Sequence, residues 1–338
     1  MASLDVLVEK LEKSLYQNTI DERILPEKEI LEDPQKFFEW FGGVKHPRKR
    51  DEHGFPIIAK QLTWYQYEFA KMENAVMLKT NKAGVTSGEA ITGDFRTRLL
   101  PQCAGGDCLL VGQNQFMADQ HLLDLKRDIL NSENARKWMI TSPEKYGLKE
   151  EKSKMRMLYV YNPYEPDRPS RIISIGFSES LAYSWKNVNR IHISDPAQIS
   201  RTEQTQFFSA LYSRLSNTEG QIKIEGVAGS RSGYFWDLCR KLFKIEDRYQ
   251  EEKDFMEQNI EEDDKILSSF KTMRITADDV VNVGLMTVEW LEKMRGILSE
   301  SEFRRIYYTE FTQNEGAIFG DFKKGVHESL GLETVCKV

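Results

Sequence analysis

No stretch of this sequence approaches the ~20 consecutive apolar residues that a membrane-spanning helix needs, and its first residues, Met1-Ala-Ser-Leu-Asp-Val6, lack the basic start and apolar core of a secretory signal. A protein with no membrane partner and no export signal is the expectation. Cysteine is scarce: four in 338 residues (Cys103, Cys108, Cys239 and Cys336), with no CxxC pair, so reduced thiols in a cytosolic setting are expected rather than disulfides or a zinc site. The five histidines are scattered and make no metal-type pair. An excess of positive charge is also missing. A net charge of −6 argues against a surface coated with cations to hold nucleic acid at rest. The short basic runs His46-Pro-Arg-Lys-Arg50 and Lys323-Lys324 read as solvated loops. No internal repeat or low-complexity tract is visible.

What is present is a globular composition, 40% hydrophobic and 30% charged, in a chain long enough for one large domain or two smaller ones. Leu4, Val6, Leu7, Leu11 and Leu15 are spaced as one helix face, and a second helix is expected after Pro34, carrying Phe37, Phe38, Trp40 and Phe41 and stopped by Gly42-Gly43. Residues 44–60 read as a charged, proline-containing loop. From Leu62 onward apolar runs of strand length (75–79, 108–112, 157–161, 171–176, 190–194, 221–227) alternate with helical segments (63–73, 87–99, 115–131, 202–215, 232–244). That alternation predicts an α/β fold with a mostly parallel sheet covered by helices on both faces, with ligands at the carboxyl ends of the strands. Residues 245–265 are strongly charged, and 287–313 read as one or two helices. The expected division is an N-terminal helical arm over 1–60, an α/β core over 61–250, a charged and helical linker over 251–312, and the start of a further domain over 313–338.

The stretch Val76-Met-Leu-Lys-Thr-Asn-Lys-Ala-Gly-Val-Thr-Ser87 carries the chemistry. A buried strand, a polar loop with a glycine, and a helix start form the layout of a phosphate-binding loop, in which backbone N–H groups face an anion. The standard pattern G-x-x-x-x-G-K-[ST] is not met, because Val85 stands where the lysine belongs. Gly84 and Thr86 are in place, and Lys79 and Lys82 are the nearest cations. Alone, the stretch is either a nucleotide site or an ordinary strand–loop–helix corner.

Three further elements surround it. Gln66, in Leu62-Thr-Trp-Tyr-Gln66, is either an amide that reads an adenine edge or a surface residue of an amphipathic helix. Arg190-Ile-His-Ile-Ser-Asp195 is an apolar-biased strand ending in an aspartate that would face Mg²⁺, or that begins a turn at Pro196. Gln221-Ile-Lys-Ile-Glu-Gly-Val-Ala-Gly-Ser-Arg-Ser-Gly233 is a strand followed by a glycine-rich turn, either a γ-phosphate sensor or a plain β–α loop.

In this order the elements resemble the large terminase subunits of tailed phages and related archaeal viruses, which are ATP-driven DNA-packaging motors. Leu78-Lys-Thr-Asn-Lys-Ala-Gly-Val-Thr-Ser87 is similar to that family's deviant loop, with Asn81 and Lys82 at its usual Arg-Gln. Cys108-Leu-Leu-Val-Gly-Gln-Asn-Gln115 looks like its next strand and helix start, Asp195 falls at its Walker B aspartate, and Gly226 falls at its coupling threonine. Ser301–Phe311 and Gly316-Ala-Ile-Phe319 are similar to the segment leading to the family's nuclease domain. The resemblance spans about residues 30–325 through loose motifs.

The resemblance implies ATP and Mg²⁺ as cofactors. Gln66, Lys79, Asn81, Lys82, Ala83, Gly84, Val85, Thr86 and Ser87 would hold the nucleotide, and Thr86 and Asp195 the metal. Lys82 would neutralise the phosphates, and Lys186 would stand for an arginine that serves a neighbouring subunit. The implied partners are double-stranded DNA, a portal and a small terminase subunit, with a homo-oligomeric ring as the working form and the host cytoplasm as its place. Pro196 replaces the family's catalytic glutamate, for which Glu179 and Glu203 are candidate substitutes. A two-metal nuclease needs several carboxylates, and near the end of the sequence only Asp321 lies by a strand-like segment, so no nuclease activity is expected in this chain. A motor fragment of a longer protein and a short relative are both compatible with that, as is a non-hydrolysing nucleotide-binding or assembly module. A helicase-like motor is the remaining alternative; it predicts a second α/β domain, for which 245–338 reads too helical and too short.

Overall fold

The computed structural model describes residues 23–140, 157–177, 185–198, 201–215, 218–245 and 269–312. The expected helix over 4–16, Glu179, the charged run 246–265, Gly316–Phe319, Asp321 and the side chain of Glu203 lie outside the described residues. The chain divides into two compact units. The first takes the described residues up to Ala75 with Gly84–Ser194 and Gln206–Glu225; the second takes Val76–Ala83, Asp195–Thr205 and the residues from Gly226 onward.

Of the eight strands of the mostly parallel main sheet, six lie in the first unit. They are β4 (Asp107–Gly112), β5 (Met139–Ile140), β6 (Met157–Val160), β7 (Ser170–Gly176), β8 (Val188–Ser194) and β9 (Gln221–Gly226), side by side in the order β9-β8-β4-β7-β6-β5. The four central strands β9, β8, β4 and β7 run parallel, and β6 and β5 close the edge antiparallel. Parallel strands need crossovers; α5 (Gln115–Asn131) supplies the one after β4, and α6 (Arg201–Leu215) follows β8 in the chain. Asn114 caps α5 by accepting from the Met117 N–H at 2.9 Å. Its Ala118, Leu122, Leu125 and Ile129 fall on one stripe and are buried.

Glycine sets how closely α5 seats. A Cβ on Gly112, at the end of β4, would stand 2.5 Å from the Ala118 backbone nitrogen, closer than any real Cβ contact. Gly112→Ala is therefore expected to lower the unfolding free energy by ~1–3 kcal/mol. The shift should appear as a lower urea midpoint at unchanged slope, and an unchanged midpoint would count against so tight a seat.

The helices expected as an N-terminal arm enter the core of the first unit. These are α1 (Lys28–Glu32) and α2 (Pro34–Phe41). Asp33 caps α2 by accepting from the Gln35 and Lys36 N–H groups, Pro34 holds its first turn, and Gly42 ends it in a left-handed conformation. Leu31, Phe37, Phe38 and Phe41 pack with Phe95, Leu110, Leu125 and Trp138. Residues 44–60, expected as a loop, form an antiparallel hairpin of β1 (Val44–Arg50) and β2 (Pro56–Ala59). Most of β1 is exposed, so its sequence carries no apolar alternation to mark it as a strand, and both strands are edges, where Pro47 is tolerated.

The second unit holds β3 (Ala75–Lys79, from Val76) beside β10 (Lys271–Ile275), with α7 (Tyr234–Leu242), α8 (Ala277–Asn282), α9 (Val288–Ile297) and α10 (Glu300–Tyr308). β10 falls inside the segment expected as linker; Lys271, Thr272 and Arg274 are exposed, so it too lacks an apolar run. The expected helices over 287–313 are α9 and α10, capped by Thr287 and Ser299. Among the described residues no helix is long and apolar enough to cross a membrane.

Candidate phosphate-loop residues

In the first unit, helix α3 (Trp64–Lys71) begins with a capping box: the Gln66 Oε1 accepts from the Thr63 N–H at 2.9 Å, and the Thr63 hydroxyl accepts from the Gln66 N–H. The other end of the same amide, Gln66 Nε2, donates to the Gly84 carbonyl at 2.7 Å. Gln66 thus ties α3 to the loop residue Gly84, a role the sequence reading did not assign. Gly84 is left-handed at φ 69°, the conformation glycine adopts without steric cost. It opens α4 (Val85–Glu89), in which Val85 is buried, Thr86 half-buried and Ser87 exposed.

α4 runs on into a π-helical turn, Ala90–Phe95, every residue of which is buried. Glu89 and Asp94 are five residues apart. In a regular α-helix they would point about 140° apart, whereas the wider π turn brings them to one face. Both grip Arg190 of β8: its Nε donates to Asp94 Oδ1 at 2.8 Å and its other terminal nitrogen pairs with Glu89. The network continues through buried side chains. His192 Nδ1 bonds Asp94 Oδ2 at 2.7 Å, His192 Nε2 lies 3.7 Å from Glu225 Oε1, and Lys223 lies 3.7 Å from Glu89 while donating to the Phe69 carbonyl. At its end Thr86 Oγ1 donates to Glu225 Oε1 at 2.6 Å.

These charges shift one another. Burial alone would raise the Asp94 carboxyl, but His192 and Arg190 overcome it and hold the group at about 2. Burial lowers Arg190, yet Glu89 and Asp94 outweigh it and push the guanidinium above its ordinary value. Burial also draws Lys223 down to about 8, partly opposed by Glu89. For Asp94 the folded value lies below the ordinary one, so its contribution to stability is complete above pH ~4 and is lost as pH falls through about 2. Roughly 2 kcal/mol is at stake. Urea unfolding between pH 5 and pH 2 should show this acid slope in the wild type and a shallower one in Asp94→Asn; parallel slopes would remove Asp94 as the source.

In the second unit, Lys79 is buried and its ammonium lies 3.4 Å from Asp195 Oδ1, which also accepts from the Val227 N–H at 3.2 Å. Asp195 is left-handed at φ 52°, a rare conformation for a residue with a side chain. The loop after β3 is anchored by the Thr80 N–H on the Ile275 carbonyl (2.9 Å), the Thr80 hydroxyl on the Ile306 carbonyl (3.1 Å) and the Asn81 N–H on that same carbonyl (3.2 Å). Asn81 and Lys82 are exposed and Ala83 is buried. Of the two cations proposed to replace the missing lysine, Lys82 thus faces solvent and Lys79 holds Asp195. Lys186, in the first unit ahead of β8, is exposed.

The two departures at Pro196 and Gly226 are physically linked. A Cβ on Gly226 would stand 3.0 Å from Pro196 Cδ, so a threonine would crowd the proline ring. The glycine-rich turn beyond it is pinned by the Thr312 N–H on the Gly229 carbonyl (3.1 Å) and the Arg231 N–H on the Thr312 carbonyl (2.7 Å), with Phe311 against Trp236 at 4.8 Å.

Glu225, Glu89, Asp94 and His192 were passed over in the sequence. Their signal was present: Arg190, His192 and Ser194 alternate with isoleucines in β8, as Lys223 and Glu225 do in β9. Alternation usually marks a solvated face, but central parallel strands are covered on both sides, and here the polar face is buried.

Taken together, the mostly parallel sheet flanked by helices defines an α/β domain. More particularly, the fold is that of phage large terminase ATPase domains. The large terminase ATPase domain of Thermus phage P74-26 superposes with a TM-score of 0.52 and 14% identity, covering 86% of this chain and all of that one. The large terminase of bacteriophage HK97 superposes with a TM-score of 0.52 and 10% identity, covering 81% of this chain and 55% of that one. At these identities the likeness is one of fold. No family model matches the sequence, and no curated protein matches it.

Proposed function

We propose that this chain is the ATPase motor domain of a DNA-packaging terminase, using ATP hydrolysis to move double-stranded DNA into a viral capsid. The observation that carries the reading is the half-buried Thr86 hydroxyl, held by a buried carboxylate two residues after a left-handed glycine, in a chain with the terminase ATPase fold. In this reading residues 79–87 hold the nucleotide, Gln66 braces the loop and lies by the adenine, and the exposed Lys82 neutralises the phosphates. Mg²⁺, when bound, neutralises charge on the transferred phosphoryl group. Among the described residues no cluster of three or more His, Cys, Asp or Glu makes a metal cage. Mg²⁺ is commonly held by one or two protein oxygens together with phosphates and water, and Thr86 and Asp195 are hard oxygen donors of that kind.

The chain's own residues then position and polarise. Thr86 and Asp195 supply oxygen donors, Lys79 pairs with Asp195, and the loop N–H groups hold phosphate oxygens. The Thr80 and Asn81 bonds to the end of α10, and the Thr312 bonds to the glycine-rich turn, are the routes by which loop closure would move the C-terminal helices. Portal and small-subunit partners, a ring of copies with Lys186 facing a neighbour, action in the host cytoplasm, and 313–338 as the start of a truncated nuclease-type domain without nuclease activity belong to the same proposal. Pro196 at the glutamate position favours a second reading, a nucleotide-binding module that does not hydrolyse. Phosphate release from ATP by the purified chain, against Thr86→Ala and Asp195→Ala, separates the two. Turnover lost in both variants supports the motor; equal rates in all three proteins would sink it.

A further inference from the structure

We infer that Glu225, at the end of β9, is the carboxylate that orients Thr86 toward its cation; the sequence reading placed only Thr86 and Asp195 at that cation. The inference rests on the nucleotide reading above. The Thr86 hydroxyl has one hydrogen and two lone pairs. Its hydrogen is committed to Glu225 Oε1 at 2.6 Å, which fixes the hydroxyl rotor and leaves the lone pairs for a hard cation. Thr86 is half-buried, whereas Glu225 is fully buried. Glu225 is thus a positioning residue that acts through Thr86.

Two observations assign the task to Glu225. Asp195 Oδ1 is already engaged by the Val227 N–H and the Lys79 ammonium. Pro196 occupies the next position, so no glutamate follows Asp195 on that strand. Glu225 is in turn backed by His192, whose other ring nitrogen is fixed by Asp94. Carboxylates that hold a metal's ligand in this way typically change metal affinity 10- to 100-fold when removed.

The test is a titration of the purified chain with a fluorescent methylanthraniloyl-ATP, in EDTA and over a range of Mg²⁺ concentrations. Glu225→Gln is expected to leave the affinity in EDTA within about twofold of wild type and to raise the Mg²⁺ midpoint at least ~10-fold; Thr86→Ala should raise the midpoint to a similar extent. A wild-type Mg²⁺ midpoint in Glu225→Gln, with the midpoint raised in Thr86→Ala, overturns the inference while leaving the nucleotide reading intact. Absence of probe binding by the wild type in both conditions overturns the nucleotide reading itself, and the inference with it. Should Glu225→Gln not fold, Glu225→Asp keeps the charge and withdraws it by one methylene. Its midpoint should rise at least ~3-fold, and a wild-type midpoint there overturns the inference equally.

Discussion

Arg190→Met should lower the unfolding free energy by ~3–5 kcal/mol, a large share of the ~5–15 kcal/mol that a folded domain possesses. The guanidinium is wholly buried between Glu89 and Asp94 and also donates to Gln221 at 2.9 Å. Methionine fills much of the volume but supplies no charge, so two buried carboxylates lose their principal cation. The cost is that of the carboxylates left behind, more than of the pair itself. For a chain of this size the melting temperature should fall by about 4–7 °C. Adding Glu89→Gln and Asp94→Asn to Arg190→Met should then return part of the loss, because the neutral amides no longer need the cation. A loss under ~1 kcal/mol, or no recovery in the combined variant, would mean that the network is hydrated and weak.

On the catalytic side, Thr86→Ala and Asp195→Ala should each reduce ATP turnover at least ~100-fold, the scale on which single preorganised polar groups act in phosphoryl and acyl transfer. The two losses should differ in kind. Thr86→Ala removes a hydroxyl from the first turn after Gly84 and relieves Glu225 of its donor, so its defect should include Mg²⁺ dependence. Asp195→Ala removes an ionic partner of the buried Lys79 and the side-chain acceptor of the Val227 N–H. A drop in stability should accompany the drop in rate, and Asp195→Asn, which preserves the Val227 bond, should recover part of that stability but little of the rate. Rates within twofold of wild type would place the chemistry elsewhere.

The order and type of the elements from residue 62 to 244 were legible in the sequence, because apolar spacing is a local signal. The helix over 115–131 has the expected ends, and each of the six expected strands matches at one end at least and to within two residues at the other. The loop around Gly84 was legible for the same reason: glycine and threonine at fixed spacing carry their own geometry. The hairpin at 44–59 and β10 were not, because their side chains are largely exposed and no periodicity marks them.

The site was read only in part. Gly84, Thr86 and Asp195 could be placed by motif, yet their partners are far away in sequence. Glu225 meets Thr86 across 139 positions, and Arg190 meets Glu89 across 101. No local pattern encodes such pairings. What the sequence alone determined was an α/β chain of strands and helices with a lysine-less phosphate-type loop. Only the tertiary structure decided that the alternating polar face of β8 and β9 is buried, because helix α4 and its π turn cover it. Buried charges must find partners or neutralise, and that requirement drew Glu89, Asp94, Arg190, His192 and Glu225 into the network that ends on Thr86.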